Sequence, residues 1–239
     1  MSLTTGRGPF SAHPAGRFDP PVPGGVTYVE PFLRRVRAVT DGRVVIDSER
    51  VQLVHRPGLP PTYAFPAGDV DGVAAEAEPA AAACVRVDWD AVGQWYEEEE
   101  EVFGHPRNPY HRVESIRARR NLRVEVDGDV VVDTEDVTAV YETSLMPKLY
   151  VGRDLVRMDL LVPSPSTTYC PYKGTASYWS AAVGDRVVPD VAWSYEDPLP
   201  ECLPIAGLLA FDASVATVRE DVLTVGPTSG PDRPAGLPT

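Results

Sequence analysis

Long apolar runs and an excess of basic residues are both missing from this chain of 239 residues. No segment reaches the roughly 18 consecutive apolar residues that indicate a membrane-spanning helix. Acidic residues number 35 and basic residues 22, which gives a net charge of −13 at pH 7. Nucleic acids and anionic membranes attract basic surfaces, so we expect neither as a partner.

Cysteine is also scarce, and the three cysteines lie far apart at positions 84, 170 and 202. No CxxC pair exists of the kind that structural zinc sites use, and three separated cysteines do not form a disulfide framework. We therefore predict no metal, no cofactor and a reducing compartment. The N-terminus does not have the basic, apolar and small-residue order of a secretory signal, so we expect a cytoplasmic protein.

Lysine occurs only twice, at Lys148 and Lys173, against twenty arginines. In such a composition, a surface charge would ordinarily be an arginine. A retained lysine suggests a role that guanidinium fills poorly, such as a compact charge or a tunable amine. The alternative is chance placement of two surface ammonium groups.

The chain contains one pattern twice. Residues 34–61 align without a gap with residues 120–147, at an offset of 86, and 12 of these 28 positions are identical. This period is too long for a solenoid repeat and predicts two modules. Residues that both copies keep are candidates for scaffold, and residues that only one copy keeps are candidates for function.

Most of the chain has the pattern of short strands. In each copy two alternating segments flank an Asp-Gly turn, at Asp41-Gly42 and at Asp127-Gly128, which is a strong hairpin signal. We predict a mainly β fold with two tandem domains that arose by internal duplication. The predicted parts are a tail over 1–24, a degenerate first domain over 25–104, a linker over 105–115, a second domain over 116–225 and a tail over 226–239.

One segment of the first copy has helical spacing instead. Apolar residues recur from Trp89 to Phe103, with Asp88 as a candidate N-cap and Gly104 as a candidate C-cap, which predicts a helix over 88–103. We interpret its acidic run, Glu97 to Glu101, as a solvated helix face. Five consecutive carboxylates on a helix point in different directions and cannot converge on one metal ion.

The offset of 86 also aligns Cys84 with Cys170, and it places this helix where the second copy reads TASYWSAAVG. We therefore expect that the first copy has lost its site and serves as support. The connecting segment 105–113 holds His105 and His111, but their spacing around prolines fits no standard ligand pattern. We interpret it as a rigid connector.

The second copy concentrates reactive and aromatic residues in two segments, CPYKGTASYW and AWSYEDPLPE. Such a composition is typical of a ligand pocket, which is mostly apolar with a few placed polar groups. The alternative for each ring is a place in the core. The candidate ligand-binding residues are Tyr172, Lys173, Tyr178, Trp179, Trp193, Tyr195 and Glu196.

Lys173 and Cys170 are also candidate catalytic residues. Lys173 is expected in a tight turn beside a strand, where its amine could serve as a nucleophile or an acid–base group. A nucleophilic cysteine needs a base or a positive field, which Lys173 could supply to Cys170. The first copy has Cys84 without a lysine, which favours a packing role for the cysteine position.

The same two segments resemble the signature of a bacterial family described as domain of unknown function 427, which also carries a nucleotidyltransferase-like label. The stretch WDAVGQWYEEEEEVFGHPRNPYHRV resembles the connector of its tandem members, and the resemblance covers about residues 28–220. It implies a fold similar to the β-tent of methionine sulfoxide reductase B and the ligand-binding domain of cereblon. Many β-tent proteins bind zinc through two CxxC pairs, which this chain lacks. It also has no Gly-rich phosphate loop and no paired-aspartate pattern for nucleotidyl transfer.

Three functions follow as hypotheses. The first is binding of an unknown small molecule in an aromatic-walled cleft of the second domain, with Lys173 and Glu196 as polar anchors. The second is an enzyme that uses Lys173, and the third is an interaction scaffold without a ligand. We expect the second copy alone to have the functional pocket; an open cleft would favour binding, and a packed core would favour the scaffold.

Overall fold

The structure is a computed structural model that describes residues 4–23 and 25–220. Strands dominate it, and every helical element of the described part is a short 3-10 helix. The predicted mainly β fold class is confirmed. No helix among the described residues is long and apolar enough to cross a bilayer. The tail predicted over 226–239 lies outside the described residues.

Nine strands belong to the first copy. They are β1 Tyr28–Pro31, β2 Val36–Thr40, β3 Arg43–Ser48, β4 Gln52–His55, β5 Thr62–Pro66, β6 Glu76–Ala77, β7 Cys84–Arg86, β8 Gln94–Glu97 and β9 Glu100–Val102. They form two antiparallel sheets with the orders β1-β4-β5-β7-β6 and β3-β2-β8-β9. The 3-10 helices of this copy are Ala67–Asp69 and Trp89–Ala91.

Eight strands follow in the described part of the second copy, and five of them are longer than any strand of the first. They are β10 Val113–Val126, β11 Asp129–Glu142, β12 Lys148–Tyr150, β13 Leu161–Cys170, β14 Gly174–Val183, β15 Arg186–Ser194, β16 Leu209–Phe211 and β17 Thr217–Glu220. They form two antiparallel sheets with the orders β12-β11-β10-β17 and β13-β14-β15-β16. The 3-10 helices here are Arg153–Leu155, Met158–Leu160 and Pro200–Ile205.

The two copies have the same strand register. Every backbone pairing of β1 with β4, β2 with β3 and β4 with β5 recurs 86 residues later within β10, β11 and β12. Even the β-bulge recurs, between Ala38 and Val39 and again between Val124 and Glu125. A bulge disrupts pairing locally and is a specific feature, so its repetition supports an internal duplication.

The equivalence between the copies ends where the chain leaves this scaffold. Val85 of β7 pairs with Phe65, whereas Leu209 pairs with Val151, which is the residue aligned with Phe65. The counterpart of β7 is therefore β16, and the alignment of Cys84 with Cys170 is wrong. The short segment 71–84 stands where the second copy has the much longer segment 157–208, which contains β13, β14 and β15.

The prediction of a helix over 88–103 is wrong, and only Trp89–Ala91 forms a helical turn, of the 3-10 type. The rest forms the hairpin of β8 and β9, and β8 pairs with β2. Exposure alternates along β8, where Trp95 and Glu97 are buried while Gln94 is exposed. The period of two in QWYE, together with pairing to β2, overrides the apolar spacing that suggested a helix.

The acidic run is accordingly not a solvated helix face, because Glu97 is only 2% exposed. Its carboxylate accepts hydrogen bonds from the Tyr63 hydroxyl at 2.6 Å and from the Arg107 backbone N–H at 3.0 Å, and it pairs with Arg34. Burial, and then the neighbouring Glu97 carboxylate, raise the pKa of Tyr63 well above its usual value. Glu97 thus connects the first copy to the segment that leads into the second.

The described part of the N-terminal segment packs against both copies. The Thr4 hydroxyl donates to the Leu59 carbonyl at 2.7 Å, and the Arg7 N–H donates to the Ser144 carbonyl at 2.9 Å. This segment therefore contacts the same loop of the repeated pattern in each copy. The boundaries of the predicted domains and tails remain predictions.

Replacing Glu97 tests whether this carboxylate is a buried structural group. We expect Glu97→Ala to lower the free energy of unfolding by about 2–4 kcal/mol, because it leaves the Tyr63 hydroxyl and the Arg107 N–H without their acceptor. Glu99, whose side chain is largely exposed, is the matched control, and Glu99→Ala should change stability by less than about 0.5 kcal/mol. Urea denaturation measures both, and equal effects would contradict the buried assignment.

Candidate functional site

The turn between β13 and β14 positions Lys173. Cys170 pairs with Gly174 at the end of the hairpin, and the Lys173 N–H donates to the Cys170 carbonyl at 3.2 Å. Gly174 has a φ of +97°, which favours glycine because it lacks a Cβ. The Leu199 N–H donates to the Lys173 carbonyl at 3.1 Å, so the turn is fixed from both sides.

Lys173 lines a cleft of about 300 Å³ in the second copy. The other lysine of the chain, Lys148, lines the same cleft. Four of the lining residues carry aromatic rings, namely Tyr150, Tyr178, Trp193 and Tyr195, and the remaining ones are Val140, Glu142, Leu145, Met146 and Asp212. Both lysines are thus placed beside an aromatic wall.

A buried polar chain lies at the base of this cleft. The Lys173 ammonium, in a residue only 8% exposed, pairs with one oxygen of Glu142, and the His111 Nε2 lies 2.9 Å from the other. The His111 ring stacks on Tyr172 with centroids 3.6 Å apart. Burial pushes the pKa of Glu142 upward, but the hydrogen bonds and charges of His111 and Lys173 outweigh it, so the net pKa is lowered.

The aromatic wall is built by strand pairing. Tyr178 of β14 lies opposite Trp193 of β15, so their rings share one face of the sheet. The Trp193 indole N–H donates to the Tyr150 hydroxyl at 3.0 Å. The Lys148 ammonium lies 5.6 Å from the centre of the Trp193 ring, within the range of a cation–π contact.

The structure brings together Lys173, Tyr178, Trp193 and Tyr195 but separates them from the other predicted residues. Trp179 packs against the core on the opposite face, where the Arg153 guanidinium lies 5.0 Å from its ring centre. Arg153 also pairs with Glu196. Tyr172 lines a separate groove, in which its hydroxyl accepts from the Asn108 N–H at 3.0 Å.

Cys170 packs against the apolar cluster beneath the cleft, around Ala176 and Cys202. Among the described residues its thiol has no hydrogen bond. Burial raises the pKa of the Cys202 thiol to about 11. Cys202 therefore lacks the surroundings of a reactive thiolate, whereas a catalytic role of Cys170 stays a prediction.

Sequence reasoning missed Glu142, His111, Tyr150 and Lys148 as lining or supporting residues. A comparison of the two copies could have identified three of them, because the first copy has different residues at the aligned positions. These are Arg56, Thr62 and Ala64, which align with Glu142, Lys148 and Tyr150. His111 has no such signal, because the linker has no second copy to compare. The linker reaches both copies, since the Tyr110 hydroxyl donates to Glu30 at 2.6 Å while His111 contacts Glu142.

The first copy also contains a cleft, of about 450 Å³, while the expectation that the functional pocket lies in the second copy alone stays a prediction. It is lined by Thr62, the residue aligned with Lys148, and by Trp89. Its basic residue, Arg86, pairs with Glu76 at 2.7 Å. The copies therefore differ in the chemistry of their clefts rather than in the presence of one.

Metal binding has no geometric support in the part of the chain that the structure describes. There, no three His, Cys, Asp or Glu side chains come close enough together to hold an ion. The histidines of the linker are instead engaged with Pro106 and Glu142.

Fold and cleft together define a class of all-β proteins in which a repeated two-sheet scaffold carries a polar and aromatic cleft. The sequence model of the family described as "Domain of unknown function (DUF427)" matches residues 28–88 and 114–225. The chain therefore belongs to this family, and the two matched segments correspond to the two copies. Comparison with curated proteins finds no significant match.

The lowered pKa of Glu142 makes its contribution to stability depend on pH. That contribution is complete above the ordinary pKa of glutamate, about 4.5, and is lost as the pH falls through the lower pKa of the folded state. We expect Glu142→Gln to reduce the free energy of unfolding by about 1–3 kcal/mol at about pH 5, with the deficit narrowing toward about pH 3.

The exposed Glu135 of the same strand provides the control, and Glu135→Gln should leave stability nearly unchanged. Urea denaturation across this range measures the deficit. A deficit that stays constant with pH would contradict the ionised pair.

Proposed function

We propose that the second copy binds a small molecule in the cleft between Lys148, Lys173 and the aromatic wall. The observation that carries the proposal is that the only two lysines of the chain line one cleft, together with four aromatic residues. A volume of about 300 Å³ is at the lower end of small-molecule sites, which are mostly apolar with a few placed polar groups.

Binding accounts for the site better than catalysis by Lys173. An amine nucleophile needs a nitrogen that is free to attack, but the Lys173 nitrogen is engaged in an ion pair with Glu142. His111 holds the same carboxylate in place. This arrangement supports Lys173 as a fixed charge, while an open cleft argues against a scaffold without a ligand.

We also propose a cytoplasmic location. Cys84, Cys170 and Cys202 are all free thiols in the folded protein. Free cysteines are typical of reducing compartments, where disulfides do not persist.

Analysis of compounds that co-purify with the protein tests the proposed binding. We expect extracts of the purified full-length chain to contain a small molecule, detected by liquid chromatography and mass spectrometry, that is depleted in extracts of Tyr178→Ala and Trp193→Ala. Both substitutions remove the wall on which a ligand would pack. Trp89→Ala, in the cleft of the first copy, is the matched control and should retain the compound.

Circular dichroism and thermal melting identify any variant that loses its ligand by unfolding. The half-buried Tyr178 makes one side-chain hydrogen bond, to Thr168 at 3.0 Å, so its replacement is the milder of the two. A wild-type protein that yields no enriched compound, and gains no thermal stability from a metabolite library, would favour the scaffold hypothesis.

A further inference from the structure

Two hydroxyl groups in the cleft of the second copy donate to no acceptor among the described residues. Tyr195 lines the cleft and is only 5% exposed, yet its hydroxyl makes no hydrogen bond to any described residue. The Tyr150 hydroxyl accepts from Trp193 but donates to no described group. A hydroxyl that lines a cleft without a partner in the protein can donate to a bound molecule, so a ligand that supplied an acceptor would be favoured.

Lys148 adds a charged donor that is only partly satisfied. Its ammonium carries three N–H groups and donates to one acceptor among the described residues, the Phe211 carbonyl at 3.2 Å. The nearest carboxylate is Glu220 at 3.9 Å, beyond hydrogen-bond distance. Burial raises the pKa of Glu220, which weakens it further as a counter-charge.

The acceptors that line the cleft are largely committed elsewhere. Both oxygens of Glu142 are engaged, one by Lys173 and one by His111. Asp212 accepts the Ser214 N–H at 2.8 Å through Oδ1. Of these carboxylate oxygens only Asp212 Oδ2 remains available among the described residues, so the donors of Lys148 and the two tyrosines outnumber the available acceptors and favour a ligand that supplies one.

We infer that the cleft takes a planar monocarboxylate, whose anionic oxygens accept from Lys148 and Tyr195 and whose ring packs on Trp193 and Tyr178. This inference rests on the proposed binding function and names its ligand class. A monoanion fits better than a phosphate dianion, because Glu142 already pairs with Lys173 and leaves Lys148 as the one lining cation without a carboxylate at hydrogen-bond distance. Charge-assisted hydrogen bonds give the carboxylate its advantage over a neutral group of the same shape.

Three probes of matched shape test the charge preference. Isothermal titration calorimetry on the full chain compares 2-naphthoate, its neutral analogue 2-naphthamide and the cation 2-naphthylmethylammonium. We expect the acid to bind at least about tenfold more tightly than the amide, the difference of about 1.4 kcal/mol that one charge-assisted hydrogen bond can supply. The ammonium should bind most weakly.

Three substitutions assign the preference to the named groups. Lys148→Gln should reduce the affinity of the acid to that of the amide. Tyr195→Phe should weaken the acid several-fold without lowering the melting temperature, because the lost hydroxyl has no partner in the free protein. Asp212→Asn should strengthen binding of the acid, since it removes a negative charge from the lining but keeps an oxygen at Oδ1.

Arg186→Gln is the matched control, because it removes one positive charge from an exposed turn of the second copy. It should leave the affinity of the acid unchanged. Equal binding of acid and amide, or an acid affinity unaltered in Lys148→Gln, would overturn the carboxylate assignment while leaving the proposed binding function standing. Absence of binding by all three probes would also overturn it, and the co-purified compound would still decide whether the cleft binds a ligand.

Discussion

The buried Glu142 carboxylate is the contact on which the second cleft depends. It lies at the end of β11 and joins the Lys173 turn on one oxygen to the linker residue His111 on the other. Three segments distant in the chain therefore meet at one charge. The Lys173 ammonium, the His111 imidazole and the Glu142 carboxylate stabilise each other where water is largely excluded. Loss of any one of them would leave an uncompensated polar group. The position of Lys173 at the cleft follows from this contact.

The repeated scaffold limits where such a contact can arise. Because the strand registers of the two copies are identical, the loop after β4 and the loop after β11 end at equivalent positions. The first copy has Arg56 there, which pairs with Glu78. The second has Glu142, which is complementary to a lysine. A reversal of charge at one scaffold position thus accompanies the longer segment 157–208, whose hairpin supplies that lysine.

Sequence alone predicted the features that depend on local pattern. Asp-Gly turns and alternating strands gave the mainly β class, and the offset of 86 gave a register that the structure reproduces. Prediction from the sequence failed where pairing between distant segments of the chain decides the secondary structure. The segment from Trp95 to Val102 is a hairpin because β2 pairs with it, and Cys84 matches no part of the CPYKG turn because the copies differ in length before it. The candidate site was predictable to the same extent. Its aromatic members were visible in two short motifs, whereas His111 and Glu142 reach Lys173 only through the fold.

The two clefts show how one scaffold can carry different chemistry. Each cleft is lined by the first residue of an equivalent strand. This residue is Thr62 of β5 in the first copy and Lys148 of β12 in the second. In the first copy the arginine of the cleft is paired with a glutamate on a neighbouring strand, so its charge is balanced by the protein. In the second copy Lys148 has only a carbonyl at hydrogen-bond distance, and Tyr195 has no partner among the described residues. Donors that line a cleft without a partner in the protein are free to bind a molecule that supplies an acceptor. The pairing of these donors, rather than the strand register of the scaffold, distinguishes the two clefts.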